Sequence, residues 1–177
     1  MMMLQKADSR DLDQIASLYD AVIDYLDQKQ KINYPGWLKG IYPNRQTACD
    51  GLNEGSLFIL NQDDLILGSV ILNHVPEKAY QGVSWKIDCQ DHEMLVVRTL
   101  AIHPDYLYQG LGKQMMGLIK KYALSEGMKT IRLDVCIQNT PAIRLYERSD
   151  YQYIDTVDLG LNLPHLKWFR LYEMVLV

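Results

Sequence analysis

The segment from Leu100 to Tyr146 constrains this chain most. Leu100-Ala101-Ile102 ends an apolar strand, and His103-Pro104-Asp105-Tyr106-Leu107-Tyr108-Gln109-Gly110-Leu111-Gly112-Lys113 turns it into an amphipathic helix. A short strand follows, and Asn139-Thr140-Pro141-Ala142-Ile143-Arg144-Leu145-Tyr146 then opens another helix. A glycine-bearing turn at a helix start is an anion cradle, because the first helical N–H groups lack internal partners and the helix dipole favours negative charge beside them. Gly110 and Gly112 let a phosphate approach the backbone, with the amides from Tyr108 to Lys113 placed to converge on it. For Gly-x-Gly alone, an ordinary turn that uses glycine only for geometry is an equally good reading. Two nucleotide motifs are excluded. No glycine follows Gly112 at the dinucleotide spacing, and the Gly-Lys-Ser/Thr ending of a P-loop is absent.

Periodicity supplies the rest of the framework. Met2 to Lys6 suits a first strand, and Asp8 or Ser9 an N-cap. Leu12, Ile15, Leu18, Tyr19, Val22, Ile23 and Leu26 then recur at helical steps, ending near Gln28. The stretch from Ile32 to Pro43 is a loop with an unusual content of large apolar residues. Asn44 caps a helix over Arg45 to Leu52, closed by Asn53-Glu54-Gly55. Ser56 to Asn61 and Leu65 to Asn73 form a hairpin around Gln62-Asp63-Asp64. Pro76 to His92 is a polar loop with room for a small strand, and Glu93 to Ile102 is the next long strand.

Leu111, Met115, Leu118, Ile119 and Tyr122 share a helical face that Gly127 closes. Thr130 to Ile137 is a strand, and Thr140 caps a helix to about Ser149 with Pro141 at its first position. Tyr151 to Asp158 and Trp168 to Val177 are closing strands, joined by a loop with Gly160 and Pro164. The order β-α-α-β-β-β-α-β-α-β-β predicts one mixed α/β domain over residues 1–177, a central sheet with helices on both faces.

With 177 residues and 48% hydrophobic composition the chain can bury a substantial core. A net charge of −4 excludes a general affinity for nucleic acid. Cys49, Cys89 and Cys136 form no Cys-x-x-Cys pair, so neither a disulfide framework nor a metal site is expected, and a reducing cytoplasm fits best. No secretory leader or membrane-spanning run stands out.

Taken together, Leu100-Ala101-Ile102-His103-Pro104, Tyr106-Leu107-Tyr108-Gln109-Gly110-Leu111-Gly112 and Asn139 to Tyr146 resemble the GNAT family of acetyl-CoA-dependent N-acetyltransferases. The resemblance is clearest over Val96 to Tyr153, while the N-terminal side shares only the order of elements. It implies a GNAT-like fold and a strand at Leu100, Ala101 and Ile102 that pairs with the pantetheine arm. It also implies that the amides of Leu107, Tyr108, Gln109, Gly110, Leu111, Gly112 and Lys113 hold the pyrophosphate. Asn139 matches the asparagine that contacts the cofactor arm, and Tyr146 the tyrosine that protonates the departing thiolate. Two departures stand out. Leu107 replaces a Gln or Arg, and Asp150 replaces a glycine at a helix exit, where Asp tolerates the left-handed conformation better than most residues.

Acetyl transfer needs a deprotonated amine, a donor to the thioester oxygen and a proton for the leaving thiolate. A backbone N–H from Leu100 to Ile102 suits the oxyanion and Tyr146 the thiolate, although Tyr146 alone would read as packing with Ala142 and Ile143. Glu93, near the start of the cofactor strand, is the first candidate base, against the bland alternative of a solvated strand-end carboxylate. His92 ranks second, and His103, before Pro104, suits a structural role. Asp134 is either a partner for a cationic substrate or a surface residue, and Arg98 either a substrate contact or a residue on the wet face of a sheet. Tyr34, Trp37, Tyr42, Tyr80, Trp85, Trp168 and Tyr172 either wall an amine pocket or serve packing and a dimer surface.

The expected protein is therefore a cytoplasmic N-acetyltransferase, monomer or homodimer. It moves acetyl from acetyl-CoA to a primary amine, of a small molecule, in a ternary complex without metal, nucleic acid or membrane. An acyl-CoA-binding sensor without acceptor chemistry and a protein or peptide N-acetyltransferase are the alternatives.

Overall fold

The computed structural model describes residues 2–29, 34–163 and 165–177, so Ile32, Asn33 and Pro164 of the loops above lie outside the described residues. The elements are β1 (Met3–Lys6), α1 (Leu12–Lys29), α2 (Arg45–Asn53), β2 (Leu57–Gln62), β3 (Leu65–Asn73), β4 (Met94–Ile102), α3 (Leu111–Ser125), β5 (Thr130–Cys136), α4 (Thr140–Glu147), β6 (Gln152–Asp158) and β7 (Trp168–Val175). This is the order expected from periodicity. Internal contacts gather the chain into two units, residues 1–72 with 98–118 and residues 73–97 with 119–177.

In the first unit, local chemistry sets the helix starts. Asp8 and Asp11 form a capping box around the turn that leads into α1, and Asn44 and Thr47 form another at α2. The apolar stripe of α1 puts Leu12, Ile15, Leu18 and Tyr19 into one cluster with Ala48 of α2 and Leu57, Ile59 and Ile71 of the sheet. β1 and β3 both pair antiparallel with β2. Leu57, Phe58, Ile59 and Leu60 are all buried, so β2 is covered on both faces. Gly68 of β3 leaves no room for a side chain, since a Cβ there would lie 2.7 Å from the carbonyl oxygen of Ala101 in β4.

In the second unit, β4 pairs parallel with β5, and β7 lies antiparallel between β5 and β6, so the sheet is mixed. The β4–β5 ladder covers only Met94–Val96 against Thr130–Arg132. β5 continues to Cys136 with β7 as its partner throughout. Glu173 and Arg132 form a buried ion pair, Nε to Oε1 3.0 Å. The other oxygen of Glu173 accepts the Lys86 amide at 2.6 Å, while Oε1 also accepts the Thr130 hydroxyl at 3.0 Å. These bonds tie the segment before β4 to the sheet.

Some expectations need correction. The stretch 76–92 holds no strand among the described residues, only short 3-10 turns at Lys78–Tyr80 and Asp91–Glu93. The cap of α4 is Asn139 rather than Thr140, because the Asn139 side chain reaches the Ala142 amide three residues on; Pro141 thereby falls at the second helical position. Asp150 adopts the left-handed conformation, with φ 68°, as its place at the helix exit predicts.

Candidate active site

The turn before α3 is built by a short 3-10 segment, Pro104–Tyr106, capped by the His103 side chain, which accepts the Asp105 amide at 3.3 Å. His103 therefore has the structural role expected of it. Tyr108 and Gly110 both take left-handed conformations, φ 64° and 79°, and curl the backbone toward the helix start. Gly112 has no such requirement and sits inside the first helical turn. The first helical bond runs from the Gln114 amide to the Gly110 carbonyl, 3.1 Å. The amides of Leu111, Gly112 and Lys113 thus precede the helical ladder, as the first N–H groups of a helix do, and are donors of the kind an anion could use.

Leu107 needs correction as a backbone ligand. Its amide already bonds the Pro104 carbonyl at 3.1 Å, closing the 3-10 turn, and so is not available to a phosphate. Beside the turn, a cavity of about 810 Å³ lies between the β2–β3 turn and α3, lined by Asp63, Asp64, Tyr106, Gln109 and Gln114 among others. Its two carboxylates do not suit an anion. Earlier on β4, Thr99 also has positive φ, 48°, an unusual conformation for a β-branched residue, and its hydroxyl is bonded to that of Tyr42. Ala101 is buried and Leu100 and Ile102 are half-buried.

In the second unit, Tyr146 is buried on α4 with its ring 6.1 Å from that of Tyr151 and 6.3 Å from that of Tyr172. Burial first, and then the charge of Asp134, push its phenol well above the ordinary value. Tyr146 therefore holds its proton at neutral pH. Asn139 spends its side-chain oxygen on the Ala142 amide at 3.3 Å, so its Nδ2 group is the part the cap does not use. Asp134 accepts the Tyr80 hydroxyl at 2.8 Å. Nothing in the sequence signals this pair, whose members stand 54 residues apart.

Glu93 fails as the base. Its carboxylate is held by Lys129 at 2.6 Å and accepts the Gln90 amide at 2.9 Å. The Lys129 hydrogen bond first, and the Gln90 amide second, lower its pKa further below the usual carboxylate range. Such a group is a poor proton acceptor at neutral pH. His92 is exposed in the same turn. Of the aromatic residues, Tyr172 is fully buried, Trp37 packs against the α1 cluster and Trp85 lies over Arg132 at 4.3 Å, so packing explains these three. Tyr42 and Trp168 remain exposed. Arg98 is half-buried.

The sequence profile of the acetyltransferase (GNAT) family matches residues 17–151. The chain belongs to this family. An acetyltransferase of Yersinia pestis (strain Pestoides F) is 31% identical over 64 residues, which is 36% of this chain and 45% of that protein. The match thus spans less than half the length of this curated relative. A GNAT-family acetyltransferase of Streptococcus agalactiae superposes with a TM-score of 0.79 at 19% identity, covering 99% of this chain and 96% of that one. The structure of yncA from Salmonella typhimurium with its cofactor acetyl-CoA gives 0.69 at 13%, covering 99% and 94%. The ribosomal-protein-S18-alanine N-acetyltransferase of Escherichia coli gives 0.67 at 16%, again covering 99% and 94%. The shared fold is the mixed central sheet flanked by helices that this GNAT chain was expected to have. Among the described residues, no group of three or more His, Cys, Asp or Glu could hold a metal ion, and no helix is long and apolar enough to cross a membrane.

Proposed function

We propose that this GNAT chain transfers acetyl from acetyl-CoA to a primary amine of a small molecule, directly, in a ternary complex. The observation that carries the reading is the turn before α3. Tyr108 and Gly110 bend it left-handed, and three amides at the helix start lie ahead of the first helical bond. A helix N-terminus of this kind favours an anion by about 0.3–1 kcal/mol from its dipole alone, with the amide hydrogen bonds in addition. Leu111, Gly112 and Lys113 would bind the pyrophosphate, and Gly110, with nothing within 4 Å of a Cβ position, leaves the approach open. Likeness in fold to yncA, whose structure holds acetyl-CoA, supports the same ligand here.

Acetyl-CoA supplies an activated thioester. The residues of this chain would then position it and manage protons. Leu100 to Ile102 would offer backbone groups to the pantetheine arm, and Asn139 its Nδ2 group. Tyr146 would give its proton to the sulfur as the thiolate leaves. The free thiols of Cys49, Cys89 and Cys136 suit work in a reducing cytoplasm.

Release of CoA thiol from acetyl-CoA, measured across a panel of amines, tests the proposal. Amine-dependent release with an acetylated small product supports it. Mass shifts on polypeptides alone would move the acceptor to protein N-termini or lysines. Tight acetyl-CoA binding without transfer to any acceptor would instead make the chain a sensor.

A further inference from the structure

We propose that Tyr42 is a positioning residue for acetyl transfer, holding β4 at Thr99 in the bend that aims the backbone N–H groups beyond it. The inference rests on the acetyltransferase reading and adds to it a residue from outside β4, α3 and α4. Three observations within the first unit converge on it.

The first is the bend. Thr99 has φ 48° within β4, although a β-branched side chain disfavours positive φ. Such a conformation persists only where the surrounding contacts hold it. The N–H of Leu100 belongs to the planar peptide that leaves Thr99, so the Thr99 backbone sets the direction of that N–H. It is the first of the strand groups suited to the thioester oxygen.

The second is the tie. The hydroxyls of Tyr42 and Thr99, 57 residues apart in sequence, share a hydrogen bond. Thr99 Oγ1 stands two bonds from the Cα about which the chain bends. A partner on that oxygen therefore constrains the strained residue itself rather than a distant part of a long side chain.

The third is the rigidity of the turn that presents Tyr42. The Leu38 N–H donates to the Tyr42 carbonyl at 2.8 Å, and the Tyr42 N–H to the Leu38 carbonyl at 2.9 Å. Asn44, the cap of α2, donates its side-chain amide to the carbonyls of Gly40 and Ile41 at 3.1 and 3.0 Å. Lys39 pairs with Asp24 of α1 at 2.7 Å. The turn is thus braced against both helices, while the Tyr42 side chain stays exposed. An exposed phenol adds little to a core, so the bond to Thr99 is the main contribution of this one.

Kinetics with an amine that the CoA-release panel identifies, together with acetyl-CoA calorimetry, test the inference. Tyr42→Phe keeps the ring and removes the bond. It is expected to lower kcat about tenfold, less than the loss of a whole oxyanion donor, with the Kd for acetyl-CoA within about threefold of wild type. Thr99→Val keeps the branched shape without the hydroxyl and should match that loss. Thr99→Ser keeps the hydroxyl and should stay within about threefold of wild type, and the double variant of Tyr42→Phe with Thr99→Val should lose no more than either alone. Unchanged kcat in Tyr42→Phe, an equal loss in Thr99→Ser, losses that multiply in the double variant, or a Kd that rises in step with the fall in kcat would overturn the assignment. Tyr42→Phe, at an exposed position, carries the test if Thr99→Val does not fold. If no amine is acetylated, the enzymatic reading fails separately, and Tyr42 is judged by amide hydrogen exchange. Exchange at Leu100 at least about tenfold faster in Tyr42→Phe than in wild type supports the tie, and equal exchange overturns it.

Discussion

The carboxylate of Glu93 lies 2.6 Å from the ammonium of Lys129, which makes Glu93 an anchor between two chain segments rather than a catalytic base. A general base contributes about 10²–10⁴-fold to a rate, so Glu93→Gln separates the two roles. Turnover in the variant is expected to stay within about threefold of wild type, far short of that range. Acid stability should change instead. The folded-state pKa of Glu93 lies below its ordinary value of 4.5, so its contribution is present above that pH and is lost as pH falls through the lower, folded value. Unfolding temperature measured against pH should therefore fall less steeply below pH 4.5 in Glu93→Gln than in the wild type.

Two glycines of one helix region should respond in opposite directions. Gly110 has φ 79° and open space around its Cβ position, so Gly110→Ala meets only backbone strain, about 1–2 kcal/mol. It should also weaken acetyl-CoA binding by disturbing the helix start. Gly117, inside α3, has equal space and no positive φ, so Gly117→Ala should stabilise by about 0.5–1 kcal/mol. Denaturant unfolding of both variants, with acetyl-CoA calorimetry on the first, checks the pair. A stabilised Gly110→Ala would refute the left-handed turn.

What could be seen in the sequence is what short range decides. The α1 stripe at Leu12, Ile15, Leu18 and Tyr19, the cap at Asn44 and the turn at Gly110 each depend on neighbours within a few residues. Asn139 shows the limit of even this, because Asn139 and Thr140 are both good caps and only the backbone decides which one reaches Ala142. The partners of Glu93, Asp134 and Glu173 come from distant segments, and a carboxylate's use depends on its partner. Thr99 carries no sequence sign of its positive φ, since a β-branched residue there is normally disfavoured. The Leu107 amide could be counted as a ligand only while the 3-10 turn that consumes it was unseen.

Arg132 and Glu173 should be among the costliest residues to change singly. Both are buried, and Arg132→Met would leave the Glu173 carboxylate without its cation, a loss of about 3–5 kcal/mol. Adding Glu173→Gln removes the stranded charge while keeping an oxygen for the Lys86 amide, so the double variant should recover part of that loss. Urea unfolding of the four proteins in the cycle measures it. Additive losses would show that the two residues do not act as a pair.

Tyr146→Phe separates proton donation from packing. Phenylalanine keeps the ring that meets Tyr151 and Tyr172, so folding and acetyl-CoA affinity should stay within about twofold of wild type while kcat falls by about 10²-fold or more. The phenol is held above its ordinary pKa of 10.0 by burial and by Asp134, so the wild type should lose no rate to Tyr146 ionisation as pH rises to that value. Steady-state kinetics against pH for both proteins, with calorimetry for acetyl-CoA, supply the readout. A variant with unchanged kcat would leave Tyr146 as a packing residue. A variant that lost acetyl-CoA affinity in proportion to rate would make it a binding residue.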